Sequence, residues 1–367
     1  MQRVELDINP AILRWARLEA GYALDEIADK VSVSSDRYGL WEKTGRQVPL
    51  GKLKSVANAY KRQLAVFLLP QVPESPKKPN DFRNLSPVNS KLSKKALQVI
   101  RDATYFRQLS LELHGEQYWK ERYKWLGSFQ EHINSPDVLA AQLREALDIS
   151  IDDQMSWKSE SEAYRKWRQA VEQRLGIFVF QFSMSMGEVQ GLSFRDSFPF
   201  SIVTNSNHTY SGRIFTIFHE LGHILRQHSG LCLYESATAK QAEEWACNKF
   251  AGRFLVPSEL VVSTDNLSEI SKFASRLNVS REVYLRRMRE EGLVANIKFF
   301  TLLEDIKATY KKTTSKGGPI KPEVKSRASR GETFYSMVLE ALHDNKISIT
   351  RASSALDLSA SRILGEI

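Results

Sequence analysis

Cysteine is almost missing from this chain: Cys232 and Cys247 are the only two in 367 residues. That excludes a disulfide framework and a thiolate zinc cage, which needs paired cysteines at short spacing. A reducing compartment is the simple expectation. Proline and glycine are sparse, at 12 and 18 residues, so neither a collagen-like nor a wholly disordered chain fits. Long apolar runs are missing too. The stretch "LAVFLLP" is far too short to cross a bilayer, and "MQRVELDINP" lacks the basic and apolar segments of a secretory leader. These absences point to a soluble cytoplasmic protein with no membrane partner. What is present is a globular composition, 42% hydrophobic and 26% charged, over a length that suits several units with real cores. The net charge of +9 favours an acidic partner such as nucleic acid, and fits Lys-rich solubility equally well.

Residues 10 to 69 read as a run of short helices: "AILRWARLEAG", "ALDEIADKV", "SSDRYGLWEKTG" and "LGKLKSVANAY". Helices this short cannot stand alone, so Ile12, Ile27, Ala28, Val33, Leu40, Leu53, Val56 and Ala57 are expected to share one small core. The stretch "LDEIADKVSVSSDRYGLWEKTGRQVPLGKLKSVANAY" resembles the phage-repressor (XRE-like) type of helix-turn-helix domain, through the small Ala28, the "VSVSS" turn and the "WEKTGRQVP" exit. The resemblance implies a recognition helix over 34–42 that offers Ser34, Ser35, Arg37 and Tyr38 to a major groove. Asp25 and Glu26 depart from the amide usual at the start of the second helix, and they would repel phosphate; Asp36 in the reading helix also counts against DNA, although a carboxylate can accept from cytosine. A role in docking protein, or a merely structural one, is therefore the alternative to DNA binding for this module.

Four prolines in "PQVPESPKKPN" cannot continue a helix and mark a linker. Beyond it, "KKALQVIRDATYFRQLSLEL", "SPDVLAAQLREAL" (Ser135 as cap, Pro136 in the first turn) and "ESEAYRKWRQAVEQRLG" read as helices. "IFVFQF", "VQGLSF" and "FSIVTN" then read as strands of a small sheet. Residues 258 to 310 turn helical again, with "LSEISKFASRLNVSREVYLRRM" similar to a second helix-turn-helix pattern that reads best as a packing extension. No repeat of fixed period is evident. The expected organisation is a helix-turn-helix domain over 1–70, a linker over 71–84, a main domain with helical extension over 85–310, a basic linker over 311–330 and a small helical tail over 331–367.

The chemistry concentrates in "FTIFHELGHILRQH". On a helix His219 and His223, four apart, point the same way and can share one ion. Ile214, Phe218, Leu221 and Leu225 recur at helical spacing, which gives that helix one buried stripe beside the histidines. Imidazoles and a glutamate next to an apolar core need a partner, and a divalent cation supplies one. A hydrolytic zinc site takes three protein ligands and keeps a fourth position for water. Downstream, "EWACNKFAGRFLVP" offers Glu244 as the third ligand, with Asn248 one turn on to hold a histidine ring and Glu243 as the rival ligand.

Together, "FTIFHELGH" and "AEEWACNKFAGRFLVP" are similar to the ImmA/IrrE family of zinc metallopeptidases; "PNDFRNLSP" and "FSIVTN" resemble that family's linker and pre-motif strand, and members often carry a repressor-type helix-turn-helix in front. The resemblance implies His219, His223 and Glu244 as zinc ligands and Glu220 as the catalytic glutamate that helps water at the zinc attack a peptide bond. It implies a protein substrate as well, a DNA-binding repressor. The usual small residue before the family's Asn is Cys247 here, read as a buried small hydrophobe. Tyr210, His208, Tyr234, His228 and Arg213 are the nearby candidates for an oxyanion donor, with none preferred. Either "VQGLSF" or "FSIVTN" is expected to pair with an extended substrate. The fold expected is α+β, mainly α: a helix-turn-helix bundle, a zincin-like peptidase domain whose small sheet packs on the HExxH helix, and a helical tail. The alternative function is a DNA-binding transcriptional regulator whose metal site is structural or inactive.

Overall fold

The computed structural model describes residues 4–73, 92–185, 189–227, 231–233, 238–309, 318 and 320–366. Most of the proline-rich linker, "PNDFRNLSP", His228, Tyr234 and residues 311–317 and 319 of the basic tract lie outside the described residues. The chain divides into two compact units, 1–105 and 106–367. Helices dominate both, and no helix among the described residues is long and apolar enough to cross a membrane.

In the smaller unit, strand β1 (Glu5–Leu6) pairs antiparallel with β2 (Val48–Pro49) around helices α1 (Pro10–Glu19), α2 (Leu24–Lys30), α3 (Ser35–Thr44) and α4 (Leu50–Tyr60). Local chemistry sets these boundaries. The Asn9 side chain accepts from Ala11 N at 2.9 Å to open α1, Ser34 Oγ accepts from Arg37 N at 3.3 Å to open α3, and Gly45 closes α3 at φ 69°. A Cβ at Gly45 would stand 2.0 Å from Ile8 O, so only glycine fits there. Glu26 turns out to be a helix starter, accepting from Ala23 N at 2.9 Å and pairing with Lys94 at 2.8 Å. Ile12, Ile27, Ala28, Leu53, Val56 and Ala57 join the expected core, with Val33 partly buried against it. Leu40 does not join: it is 56% exposed, because Tyr38 and Trp41, three apart, take the inner face of α3. Tyr38 is fully enclosed, its hydroxyl 2.6 Å from that of Tyr60, so it cannot present itself to a groove.

The larger unit begins within α5 (Lys94–Arg122), which breaks its helical path at Gly115. Then come α6 (Leu126–Gln130), α7 (Pro136–Leu147), α8 (Ile151–Ser156) and α9 (Glu160–Leu175), the last closed by Gly176 at φ 71°. Ser135 sits at the cap position of α7 but its side chain makes no capping bond. The sheet follows: β3 (Phe178–Phe182), β4 (Val189–Phe194), β5 (Ser201–Asn205) and, after helix α10 (Tyr210–Leu225), β6 (Leu231–Leu233). Strand order is β3-β5-β4-β6, with β3 parallel to β5 and β4 antiparallel to both β5 and β6. Neither "VQGLSF" nor "FSIVTN" is therefore an edge. Both carry a partner on each side, and β6, too short to announce itself in the sequence, covers β4. At the other edge, Val179 donates to Glu172 Oε1 at 3.4 Å and its carbonyl accepts from Arg168, so side chains blunt β3.

Helix α11 (Thr238–Leu255) lies against α10, and α12 (Leu267–Arg276), α13 (Arg281–Glu290) and α14 (Asn296–Ala308) follow. The last helices are α15 (Pro322–Arg330), α16 (Glu332–His343), α17 (Ile349–Leu356) and α18 (Ala360–Leu364). These are built onto the sheet. Phe334 packs its ring 4.9 Å from Phe106 and 5.7 Å from Phe180, and a Cβ at Gly331 would fall 2.1 Å from Glu172 Oε1. One turn recurs along the chain, and three of its instances show its form. Ser32, Asn278 and Asp357 have φ of 56°, 55° and 54°, and the residue after each donates back to Ala28, Ala274 or Ser353 at 3.0, 3.0 and 3.2 Å.

Candidate metal centre

Helix α10 starts at Thr209, whose side chain accepts from Gly212 N at 3.1 Å, and runs into the interior between α9, α11 and the sheet. The sequence pattern promised one buried stripe. Instead every residue from Thr216 to Leu225 is buried, so the histidine face is interior as well. Phe218 packs between Trp167 (5.0 Å) and Phe254 (4.1 Å), which fixes the rotation of the helix. Gly222 decides how near α11 comes. A Cβ there would lie 3.2 Å from Cys247 Sγ, 3.2 Å from Phe250 Cδ1 and 3.3 Å from Cys247 Cα.

That close crossing brings three ligand atoms together. His219 Nε2 and His223 Nε2 are 3.2 Å apart, and Glu244 places Oε2 3.1 Å from the first and Oε1 3.4 Å from the second. Four-coordinate zinc with bonds near 2.0–2.1 Å requires ligand atoms about 3.3–3.4 Å apart, so the three donors already stand at the corners of such a shell. His219 Nδ1 is 3.0 Å from Asn248 Oδ1; with that nitrogen donating to the amide oxygen, the lone pair of Nε2 faces the other two donors. On His223, Glu243 Oε1 comes to 3.5 Å from Nδ1, the nitrogen turned away from the cluster. The structure thus separates the two rival glutamates: Glu244 reaches both inner nitrogens, and Glu243 the outer side of one ring. Burial disfavours an ionised Glu244, but the adjoining His219 and His223 outweigh it and hold the carboxyl well below the usual carboxylate range. The Cys247 thiol, pushed up by burial, stays outside the cluster that could hold a metal ion, His219, His223 and Glu244.

Glu220 is fully buried, and neither carboxylate oxygen has a hydrogen-bond partner. A carboxylate in that position is costly unless a proton, a water or a cation answers it, so the residues fit a site that receives a divalent ion and its solvent. Next to it lies Gly191 of β4, where a Cβ would be 2.7 Å from Glu220 Oε1. The sequence reading missed the role of this glycine, although a glycine inside a strand pattern is a signal of close approach. The proposed oxyanion donors fare less well. Tyr210 and Arg213 begin α10, nine and six residues before His219, hence about 13 and 9 Å along the axis, and His208 precedes the helix. Arg213 is occupied, donating to His208 O (2.9 Å), Ser206 O (2.8 Å) and Gln181 Oε1 (3.1 Å) while lying over Tyr210. In the smaller unit Ser34, Ser35 and Arg37 remain at the surface of α3, whereas Tyr38 does not.

Comparison with curated proteins and with solved structures returned no match. Residues 172–289, from the end of α9 to the end of α13, match the model of the family Peptidase_M78, described as the IrrE N-terminal-like domain, and this supports a peptidase-like function for that part of the chain.

Proposed function

We propose that the chain is a zinc-dependent endopeptidase that cleaves a regulatory protein, a DNA-binding repressor being the substrate class implied by the resemblance described above. The observation that carries this is the convergence of His219 Nε2, His223 Nε2 and the Glu244 carboxylate at separations of 3.1–3.4 Å beside a buried, unpartnered Glu220. His219, His223 and Glu244 would hold a divalent cation, which when bound would supply the positive charge that polarises a peptide carbonyl and acidifies a water. Glu220, on the same helix but turned about 100° from His219, is left free to take the proton of the attacking water. It then returns that proton to the leaving amine. Asn248 keeps His219 in one tautomer, and the enclosure of α10 excludes bulk water from the reacting groups.

The N-terminal helix pair α2–α3 is read as the helix-turn-helix that brings the enzyme to DNA, with Ser34, Ser35 and Arg37 as the residues able to reach it. Affinity for DNA that falls steeply with salt and weakens in Arg37→Ala supports this; affinity independent of both assigns the module to protein docking. For the peptidase, protein purified without chelators is assayed for metal and for cleavage of a repressor encoded beside it, in parallel with Glu220→Gln. Zinc in both proteins and cleavage by the wild type alone is the expected result. Zinc in both with cleavage in neither sinks the hydrolytic reading and leaves the transcriptional regulator with a structural metal.

A further inference from the structure

We propose that Gly191 is a positioning residue for Glu220: the side chain it lacks is the space in which the glutamate's carboxylate is held. Strand β4 runs over α10 so closely at this point that a Cβ on Gly191 would lie 2.4 Å from Thr216 Cγ2, 2.7 Å from Glu220 Oε1 and 3.1 Å from Glu220 Cγ. Real Cβ atoms do not come this near to such neighbours. Two further observations show that the space is kept for the glutamate. Glu220 is fully buried with both oxygens unpartnered, so packing and not hydrogen bonding determines where its carboxylate sits. The strand is also irregular there: β4 pairs with β6 at Val189↔Leu233 and Leu192↔Leu231, two residues on one strand facing one on the other, and Gly191 is inside that bulge. On its other side it pairs regularly with Thr204 of β5.

The consequence concerns what Glu220 does. A carboxylate one residue from His219 can swing toward the imidazoles and compete as a ligand, and a ligating carboxylate cannot serve as a base. Confined beneath the Gly191 backbone, it keeps to one place beside the ligand cluster. A methyl group at position 191 fills that place and turns the carboxylate out.

This inference rests on the peptidase reading for its catalytic meaning, so its test separates the two. Thermal midpoints of the metal-free full chain are measured for Gly191→Ala, Glu220→Ala and the double variant, all in a Thr216→Ser background that removes the Cγ2 methyl. Visible spectra of the cobalt(II)-loaded proteins are recorded alongside. Gly191→Ala is expected to lower the midpoint by about 3–10 °C, as overpacking does, and Glu220→Ala in the same chain to restore most of it. The cobalt band of Gly191→Ala should change as the displaced carboxylate reaches the metal, and return in the double variant to that of Glu220→Ala. If Gly191→Ala fails to fold and the double variant folds, the coupling is shown more strongly still. A loss that is the same with and without Glu220, or a double variant that also fails to fold, overturns the proposal. Thermal coupling in a protein that binds no cobalt leaves the fit intact and defeats the peptidase reading instead.

Discussion

Replacing Gly222 by alanine sets two effects of similar size against each other, and the structure says which wins where. On an isolated helix the change is favourable by about 1 kcal/mol, because alanine loses less backbone entropy than glycine. In the folded protein the new methyl meets Cys247 Sγ and Phe250 Cδ1 at 3.2 Å each, tighter than an ordinary van der Waals contact by a few tenths of an ångström. Overpacking of this kind costs about 1–3 kcal/mol, so the net loss of stability is about 0–2 kcal/mol and the protein folds. The candidate metal site is less forgiving. Relieving the contact means moving α11 outward, and α11 carries Glu244, whose oxygens stand 3.1 and 3.4 Å from the histidine nitrogens on α10. Ligand displacements of this order cost about 10–100-fold in metal affinity, or about 1.4–2.8 kcal/mol. Competition with a chromophoric chelator measures that affinity and urea denaturation of the metal-free protein measures stability. Cys247→Ala, which removes the sulfur from the contact, should recover part of the lost affinity in the double variant. Gly222→Ala with wild-type affinity, or affinity and stability that fall together and ignore Cys247, would refute the reasoning.

Removing any one of His219, His223 and Glu244 by alanine should abolish stoichiometric zinc in metal analysis, while Glu243→Gln should retain the metal with weakened affinity, because Glu243 reaches only the outer nitrogen of His223. Tyr38→Phe leaves the hydroxyl of Tyr60 without its buried partner, a loss of about 1–2 kcal/mol in chemical denaturation, and should not change DNA affinity because Tyr38 is enclosed. Gly331→Ala should cost at least about 2 kcal/mol: the residue sits at φ 84°, and its Cβ would strike the carboxylate of Glu172. The Asp153 carboxyl is held below its ordinary range by hydrogen bonds from the Ser150 hydroxyl and amide. A lowered folded-state pKa contributes stability that is complete above the unfolded value, about 4, and lost as pH falls through the folded one. Asp153→Asn should therefore be slightly less stable than wild type at pH 7, by little because solvent screens so exposed a carboxylate, and match it in strong acid, as read from denaturation at the two pH values.

Local chemistry was the legible part of this chain. Gly176 ends its helix and the runs "IFVFQF", "VQGLSF" and "FSIVTN" become β3, β4 and β5, because each of these depends on neighbours within a few residues, although Ser135, read as a cap, makes no capping bond. Illegible were the features decided by an approach between distant segments. Leu40 looked like core and is outside, since which face of α3 turns inward depends on where Tyr60 lies to receive Tyr38. The order of strands was hidden for the same reason: β6 returns along β4 after the whole of α10, and no periodicity within three residues announces it.

The candidate site shows where that division matters for function. His219 and His223 share a helix, so their spacing suffices to bring them together; Glu244 and Glu243 belong to another helix, and helical geometry alone says only that one of them can aim at the ion. What chooses between them is the rotation of α11 about its axis. Cys247, Phe250 and Phe254 turn to α10 and α9, Gly222 lets the crossing close, and Glu244 then reaches both inner nitrogens while Glu243 is carried to the outer side of His223. The residues that orient this acid are thus one glycine and a set of apolar side chains with no chemistry of their own. Gly191 and Gly222 act through atoms they lack, one holding space for the carboxylate of Glu220 and the other for the helix of Glu244. A search for metal ligands passes over both, yet the placement of Glu220 and of Glu244 depends on them.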